Sequence, residues 1–150
     1  MDRYMRILID GDACPNKEEI IEIAKKYNCE VILFIDYAHE NTLEGCKVVY
    51  CEVGSDSVDF QIMKTVKNMD IVITQDYGLA SLVLPKKANV LHVSGKIINE
   101  ENIQTLLMTR YISAKQRKSG VRTKGPAKRT KEDKQNLLNH LEKLIKDVQK

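Results

Sequence analysis

The chain is poor in glycine and proline, with seven and three among 150 residues, which excludes collagen-like and low-complexity classes. Its longest apolar run is a handful of residues, far short of the ~20 that a membrane-spanning helix needs. Four cysteines, Cys14, Cys29, Cys46 and Cys51, form no C-x-x-C pair and have no histidine at zinc spacing, so reduced, mostly buried thiols are expected in place of a zinc site. Neither G-x-G-x-x-G after the first apolar segment nor G-x-x-x-x-G-K-[ST] occurs, and with them go the usual signals of a nucleotide cofactor. None of the three histidines, His39, His92 and His140, is placed to serve Cys14 as a base, so that thiol reads as a packing residue before Pro15 and His92 as a structural strand residue. Met1 to Arg6 runs into an apolar segment that meets Asp10 too soon for a signal-peptide core and offers no cleavage site. A cytoplasmic protein with no membrane partner is the expectation.

What the chain does have is 43% hydrophobic and 30% charged residues, enough for a real core in a single domain. Its charge is unevenly placed. Residues 1–109 carry 11 Lys and Arg against 17 Asp and Glu, whereas residues 110–150 carry 13 against 4. Between Arg110 and Lys131 lie nine basic residues and no acid. Such a segment is either a solvated face or a surface for polyanions, and the lack of interleaved acids points to the second. The chain therefore divides into a sheet core with an acidic cleft (1–109), a basic segment (110–131) and a C-terminal helix (132–150).

Apolar patterning predicts alternating strands and helices. Met5 to Ile9 is a short buried strand that ends in Asp10-Gly11-Asp12. A helix follows Pro15, with Ile20, Ile21, Ile23, Ala24 and Tyr27 at helical spacing. Strands are predicted over Val31 to Ile35 and Lys47 to Val53, then a helix from about Ser55 with that hydroxyl as cap. Ile71 to Thr74 is a further strand, Leu79 to Leu84 a short helix stopped by Pro85, and Val90 to Val93 a fifth strand. Asn99 caps a helix carrying Ile103, Leu106, Leu107 and Tyr111. Thr130 to Asp133 opens the last one with a near capping box. On that helix Leu137, Leu138, Leu141, Leu144, Ile145 and Val148 form a stripe expected to pack on the sheet, a partner helix or homodimer contact being the alternative. The expected fold is α/β: a three-layer α/β/α arrangement on a mostly parallel central sheet, with a basic loop and an amphipathic C-terminal helix.

In such a sheet ligands bind beyond the carboxyl ends of the strands. Three acidic groups fall there: Asp10 and Asp12 after the first strand, Asp56 and Asp59 opening the helix after the third, and Asp76 after the fourth. Asp56 and Asp59 are spaced i, i+3 and project to one side. Carboxylates gathered in one cleft repel one another unless a cation is present, and oxygen-only donors suit Mg²⁺ or Mn²⁺. Such an ion orients and deprotonates a water and screens a phosphodiester. Each carboxylate taken singly also reads as a helix cap or turn residue. Asp70, at the opposite edge, reads as a turn residue.

Several motifs resemble the YaiI/YqxD family of uncharacterised bacterial proteins. They are Asp10-Gly11-Asp12-Ala13-Cys14-Pro15, Val58-Asp59 with Ile62-Met63, Ile73-Thr74-Gln75-Asp76-Tyr77-Gly78-Leu79-Ala80, Glu101-Asn102-Ile103, Ser119-Gly120 with Thr123 to Pro126, and Glu132-Asp133. The resemblance implies a PIN-like fold and an acidic site similar to metal-dependent ribonucleases, with Asp10, Asp59 and Asp76 as metal-holding residues, Asp12 in support and Asp56 corresponding less closely. This chain departs from the family in having Gly11 where Ala is usual and Ser94-Gly95 where Arg-Gly is usual, which removes a positive charge beside the site.

The leading expectation is a Mg²⁺- or Mn²⁺-dependent nuclease-like hydrolase acting on RNA. Asp10, Asp59, Asp76 and Asp56 would hold the metal, and Asp12 would orient a water. Arg110, Lys115, Arg117, Lys118, Arg122 and Lys124 would grip the backbone. A non-catalytic nucleic-acid-binding module is the second reading. A third comes from Ile9 to Asp12, which resemble the opening of haloacid-dehalogenase-like phosphatases, with Asp10 as nucleophile and Asp12 as acid/base. The further Lys and late acidic pair of those enzymes have no clear counterparts in this chain.

Overall fold

Ile7, Leu8 and Ile9 are each fully buried, which requires cover on both faces of the strand they form. The computed structural model, which describes residues 5–11, 14–36, 43–54, 56–120 and 129–149, provides it. Its strands are β1 (Arg6–Asp10), β2 (Glu30–Asp36), β3 (Lys47–Cys51), β4 (Ile71–Thr74), β5 (Asn89–His92) and β6 (Ile97–Ile98). Its helices are α1 (Lys17–Lys26), α2 (Ser57–Thr65), α3 (Tyr77–Val83), α4 (Ile103–Lys118) and α5 (Lys131–Gln149), with a 3₁₀ turn at Leu84–Lys86. The strands form one sheet of order β3-β2-β1-β4-β5-β6, parallel except for β6. The chain works outward from β1 to β3 and then returns to place β4 against the other side of β1. Order therefore reverses between β1 and β4, where a parallel sheet opens its ligand-binding crevice.

Alternation along the strands sorts side chains into two cores. Ile7, Ile9, Leu33, Ile71 and Ile73 face α1 and α5, where they meet Ile20, Ala24, Leu137, Leu141 and Ile145. Leu8, Ile32, Phe34, Val72 and Val90 face α2, α3 and α4, where they meet Ile62, Leu79, Ala80 and Ile103. The three-layer α/β/α arrangement is thus in place. The α5 stripe packs on the domain's own sheet: Leu137, Leu141 and Ile145 are fully buried, and Leu138, Leu144 and Val148 pack partly buried against them. Thr130 Oγ1 accepts from Asp133 N at 3.1 Å and Asp133 Oδ2 from Thr130 N at 3.0 Å, a capping box with Asp in the third position. Glu142 on α5 accepts from the Tyr27 hydroxyl at 2.5 Å and from Lys26 Nζ at 3.0 Å, locking α5 to the end of α1.

Two glycines are fixed by close approach. Gly95 has φ +93°, and a Cβ there would lie 2.5 Å from Asn136 on α5, whose His140 ring also hydrogen-bonds the Gly95 carbonyl. At Gly11 a Cβ would come within 2.5 Å of Leu33 Cδ1 and 2.8 Å of Phe34 O, so β2 leaves this turn no room for a larger residue unless it shifts.

Several boundaries differ from the sequence reading. The third strand stops at Cys51 because Glu52, Val53 and Gly54 are exposed and pair with no neighbour in the sheet. Asp56, not Ser55, occupies the N-cap position of α2, and Ser55 lies outside the described residues. α3 ends at Val83, one residue earlier than predicted, and it is stopped as expected by Pro85, directly after its Leu84 C-cap. Pro85 sits at the start of the 3₁₀ turn, where its missing N–H costs nothing. Asn99 opens a turn by accepting from Glu101 N and Asn102 N, and α4 proper begins one turn later with Asn102 at its N-cap position. Asp70 is more than a turn residue. Only 5% exposed, it takes a forked hydrogen bond from Arg6 at 2.5 and 3.1 Å and another from Lys67 N at 2.8 Å.

Candidate functional site

The crevice between β1 and β4 is where the predicted acidic residues meet. Asp10 ends β1 and Thr74 ends β4. The Thr74 hydroxyl, fully buried, donates to Asp10 Oδ2 at 2.8 Å and accepts from Asp76 N at 2.9 Å. One hydroxyl thus fixes the ends of two central strands. Thr74 was not among the predicted site residues, although it opens the T-x-D run that the sequence motifs contain.

Asp76 is the N-cap of α3, its Oδ1 accepting from Gly78 N at 2.8 Å and Leu79 N at 3.2 Å. The cap reading of this carboxylate is therefore correct, and capping also holds it rigidly at the crevice. Asp59, in the first turn of α2, faces Asp76 from the neighbouring helix. Burial, a hydrogen bond with the Asp76 carboxyl, and the negative charges of Asp76, Asp10 and Asp56 push its carboxyl up to about 7. The Asp59 carboxyl therefore favours its protonated form close to neutrality.

Asp56 contributes only its charge. Exposed at the N-cap position of α2, its side chain makes no capping hydrogen bond. Asp12 lies outside the described residues. Among the described residues no three His, Cys, Asp or Glu side chains are grouped tightly enough to enclose a metal ion. Asp59 and Asp76 are in contact, and Asp10 is joined to Asp76 through Thr74.

One strand over, His92 ends β5 in register with Thr74. Its Nδ1 hydrogen-bonds Ser94 Oγ at 2.8 Å, and its ring lies 5.4 Å from that of Tyr77. Burial, helped by the nearby Lys96 and Arg110 charges, lowers its pKa and favours the neutral imidazole. The Arg110 guanidinium carbon stands 5.6 Å from the Tyr77 ring centre. Sequence reading placed His92 as a structural residue, which its hydrogen bonds support, but missed the aromatic pair because Tyr77 opens α3 and His92 ends β5, 15 residues apart.

The predicted basic surface divides. Lys115, Arg117 and Lys118 are exposed in the last turn of α4, where cations also suit the helix dipole. Arg122 and Lys124 lie outside the described residues. Arg129 is an internal strap: its guanidinium donates to Val93 O at 3.0 Å and Asn16 Oδ1 at 2.6 Å, tying the start of α5 to β5 and α1. Cys14, buried, has its thiol pushed up to about 12 and is no nucleophile. All four cysteines are free thiols. Among the described residues no helix is long and apolar enough to cross a membrane.

The sequence profile described as "Uncharacterized BCR, YaiI/YqxD family" matches residues 8–147. This chain belongs to the YaiI/YqxD family. Relatives of that kind include a UPF0178 protein of Bacillus cytotoxicus, 42% identical over 145 residues that cover 97% of this chain and 95% of the relative. Another, from Clostridium kluyveri, is 48% identical over 141 residues, covering 94% and 93%. A crystal structure of a Rae1 (YacP) variant from Bacillus subtilis matches with a TM-score of 0.44 at 18% identity, over 80% of this chain and 84% of that one. A match at that level decides nothing about the function of this YaiI/YqxD protein.

Proposed function

We propose that this protein is a divalent-metal-dependent phosphodiesterase of PIN-like type acting on RNA, with Asp10, Asp59 and Asp76 as the metal-holding carboxylates and Asp12 orienting a water. The observation that carries the reading is the placement of Asp59 in the first turn of α2 and Asp76 at the N-cap of α3 beside the switch point of a parallel sheet, with Asp10 tied alongside through Thr74. A pair that keeps a proton up to about 7 gains by exchanging it for a hard cation. The donors are oxygens alone, as Mg²⁺ and Mn²⁺ prefer, and Mg²⁺ needs only one or two carboxylates because it retains several waters. When bound, such an ion supplies a polarised water and screens the phosphodiester charge. Thr74 sets the direction of the Asp10 carboxylate, the α3 cap immobilises Asp76, and Asp59 gives up its proton on loading.

A second reading, a nucleic-acid-binding module without catalysis, is favoured by one observation: Lys115, Arg117 and Lys118 are exposed together in the last turn of α4, a surface that can hold a polyanion without any metal. End-labelled single-stranded RNA incubated with Mn²⁺ separates the two. The phosphodiesterase reading expects cleavage that Asp59→Asn and Asp76→Asn each abolish, with p-nitrophenyl phosphate left intact. Binding without cleavage in any divalent cation favours the module, and monoester hydrolysis that survives Asp59→Asn favours the phosphatase.

A further inference from the structure

A cleft lined with carboxylates repels the polyanion it is to act on, so a cation beside it must receive the phosphate. Arg110 has the properties for that task. It is exposed on α4, and among the described residues no carboxylate forms an ion pair with it. Its guanidinium carbon lies over the ring of Tyr77, 5.6 Å from the ring centre, and Tyr77 is the residue that follows Asp76 in the chain. A ring contact uses the guanidinium's charge and consumes none of its N–H donors, which remain for an acceptor that can take two of them, the geometry phosphate oxygens offer. The Tyr77 ring is itself backed by His92, which sits in register with Thr74, the residue that holds Asp10 and Asp76. A line of neighbouring residues therefore runs from the acidic residues through Thr74, His92 and Tyr77 to one cation. Lys115, Arg117 and Lys118 lie further along α4 in its exposed last turn.

We propose that Arg110 is the residue that grips a backbone phosphate of the nucleic-acid strand beside the carboxylate cleft, with Tyr77 as its positioning residue. This rests on the phosphodiesterase reading for the identity of the ligand. It sets Arg110 apart from the other basic residues, which contribute field and salt dependence without a fixed place for the phosphate.

The test is fluorescence anisotropy of a short single-stranded RNA on the full chain over a range of salt, without divalent metal to prevent cleavage. Arg110→Ala is expected to weaken binding about tenfold or more, the loss of a charge-assisted hydrogen-bonded pair. The slope of log K against log salt should fall in magnitude by about 0.7. Arg110→Lys keeps the charge and should recover the slope but not the full affinity. Tyr77→Phe, which keeps the ring, should bind as wild type, while Tyr77→Leu should weaken binding with every cation still present. Tyr77→Leu with Arg110→Ala should bind no more weakly than Arg110→Ala alone, which a merely structural role for Tyr77 would not produce. Lys118→Ala should lower the slope without showing this dependence on Tyr77.

Wild-type affinity in Arg110→Ala, with cleavage still lost in Asp59→Asn, overturns the inference and leaves the proposed function standing. Additive effects of Tyr77→Leu and Arg110→Ala overturn the positioning role. If inorganic phosphate binding depends on Arg110 and strand binding does not, the site belongs to a small anion and the assignment fails. A wild-type chain that neither binds nor cuts the strand overturns both readings.

Discussion

Replacing Asp59 by Asn should stabilise this protein at pH 8 in the absence of divalent metal. In the unfolded chain the Asp59 carboxyl ionises near its ordinary value of 3.8, whereas in the fold it holds its proton up to about 7. Between those values the folded state binds the extra proton, so stability falls as pH rises through this window and the full penalty is present above it. Moving a carboxyl from 3.8 to about 7 corresponds to about 4 kcal/mol between its two protonation states. Asp59 is only partly buried, and solvent screening reduces that ceiling to about 1–2 kcal/mol. Asn carries no charge and can still donate to the Asp76 carboxylate, so the variant escapes the penalty. Thermal melts in EDTA should show Asp59→Asn raised by about 3–6 °C over wild type at pH 8, with the difference much reduced at pH 4. A variant destabilised at pH 8, or shifted equally at both pH values, would refute the claim that burial and the neighbouring carboxylates penalise an ionised Asp59.

Thr74→Val removes the hydroxyl shared by Asp10 and the Asp76 N–H, and chemical denaturation should register a loss of about 1–3 kcal/mol together with loss of any RNA cleavage. Arg6→Ala leaves the buried Asp70 carboxylate without its forked partner; urea unfolding should show a loss of about 3 kcal/mol, against little change for the exposed pair broken by Lys26→Ala. Cys14, buried with its thiol pushed up to about 12, should react slowly with a thiol reagent at pH 8, as should the buried Cys51, while the part-exposed Cys29 and Cys46 react first.

The parts of the fold written in local patterns were legible in advance. Ile7-Leu8-Ile9 could be read as a strand covered on both faces because a parallel sheet demands unbroken apolar residues. The leucines of α5 repeat at the spacing of one buried helical face, and Thr130 with Asp133 carries its own start signal. Features that depend on how one element meets another were not legible. Strand β6 is two residues long and gains its place only from pairing with Val90 and Leu91. Arg6 and Asp70 are 64 positions apart, and each alone looks like an ordinary polar residue at a strand end. Arg129 stands in a basic segment free of acids, where nothing local marks it as an internal strap.

The candidate site divides the same way. Carboxylates at the ends of β1 and β4 were foreseeable from strand order, since ligands gather at that edge. The contact of Asp59 with Asp76 was not, because it depends on how α2 and α3 lie side by side. Thr74 was hidden by its chemistry: a threonine closing an Ile-Val-Ile run reads as a β-branched strand residue, and its hydroxyl becomes important only once β4 lies beside β1. The arrangement of Arg110, Tyr77 and His92 joins three elements and has no sequence signature.

The central claim is that the Asp59–Asp76 pair holds a proton where a divalent cation belongs. Calorimetric titration of Mn²⁺ into the full chain near pH 6.5, repeated in buffers of different ionisation enthalpy, measures both binding and the protons released with it. The account predicts saturable binding that expels about one proton from wild type, expels none from Asp59→Asn, and is lost when Asp10 and Asp76 are both changed to Asn. Mn²⁺ binding that survives the double substitution, or that releases no proton from wild type at this pH, would contradict it.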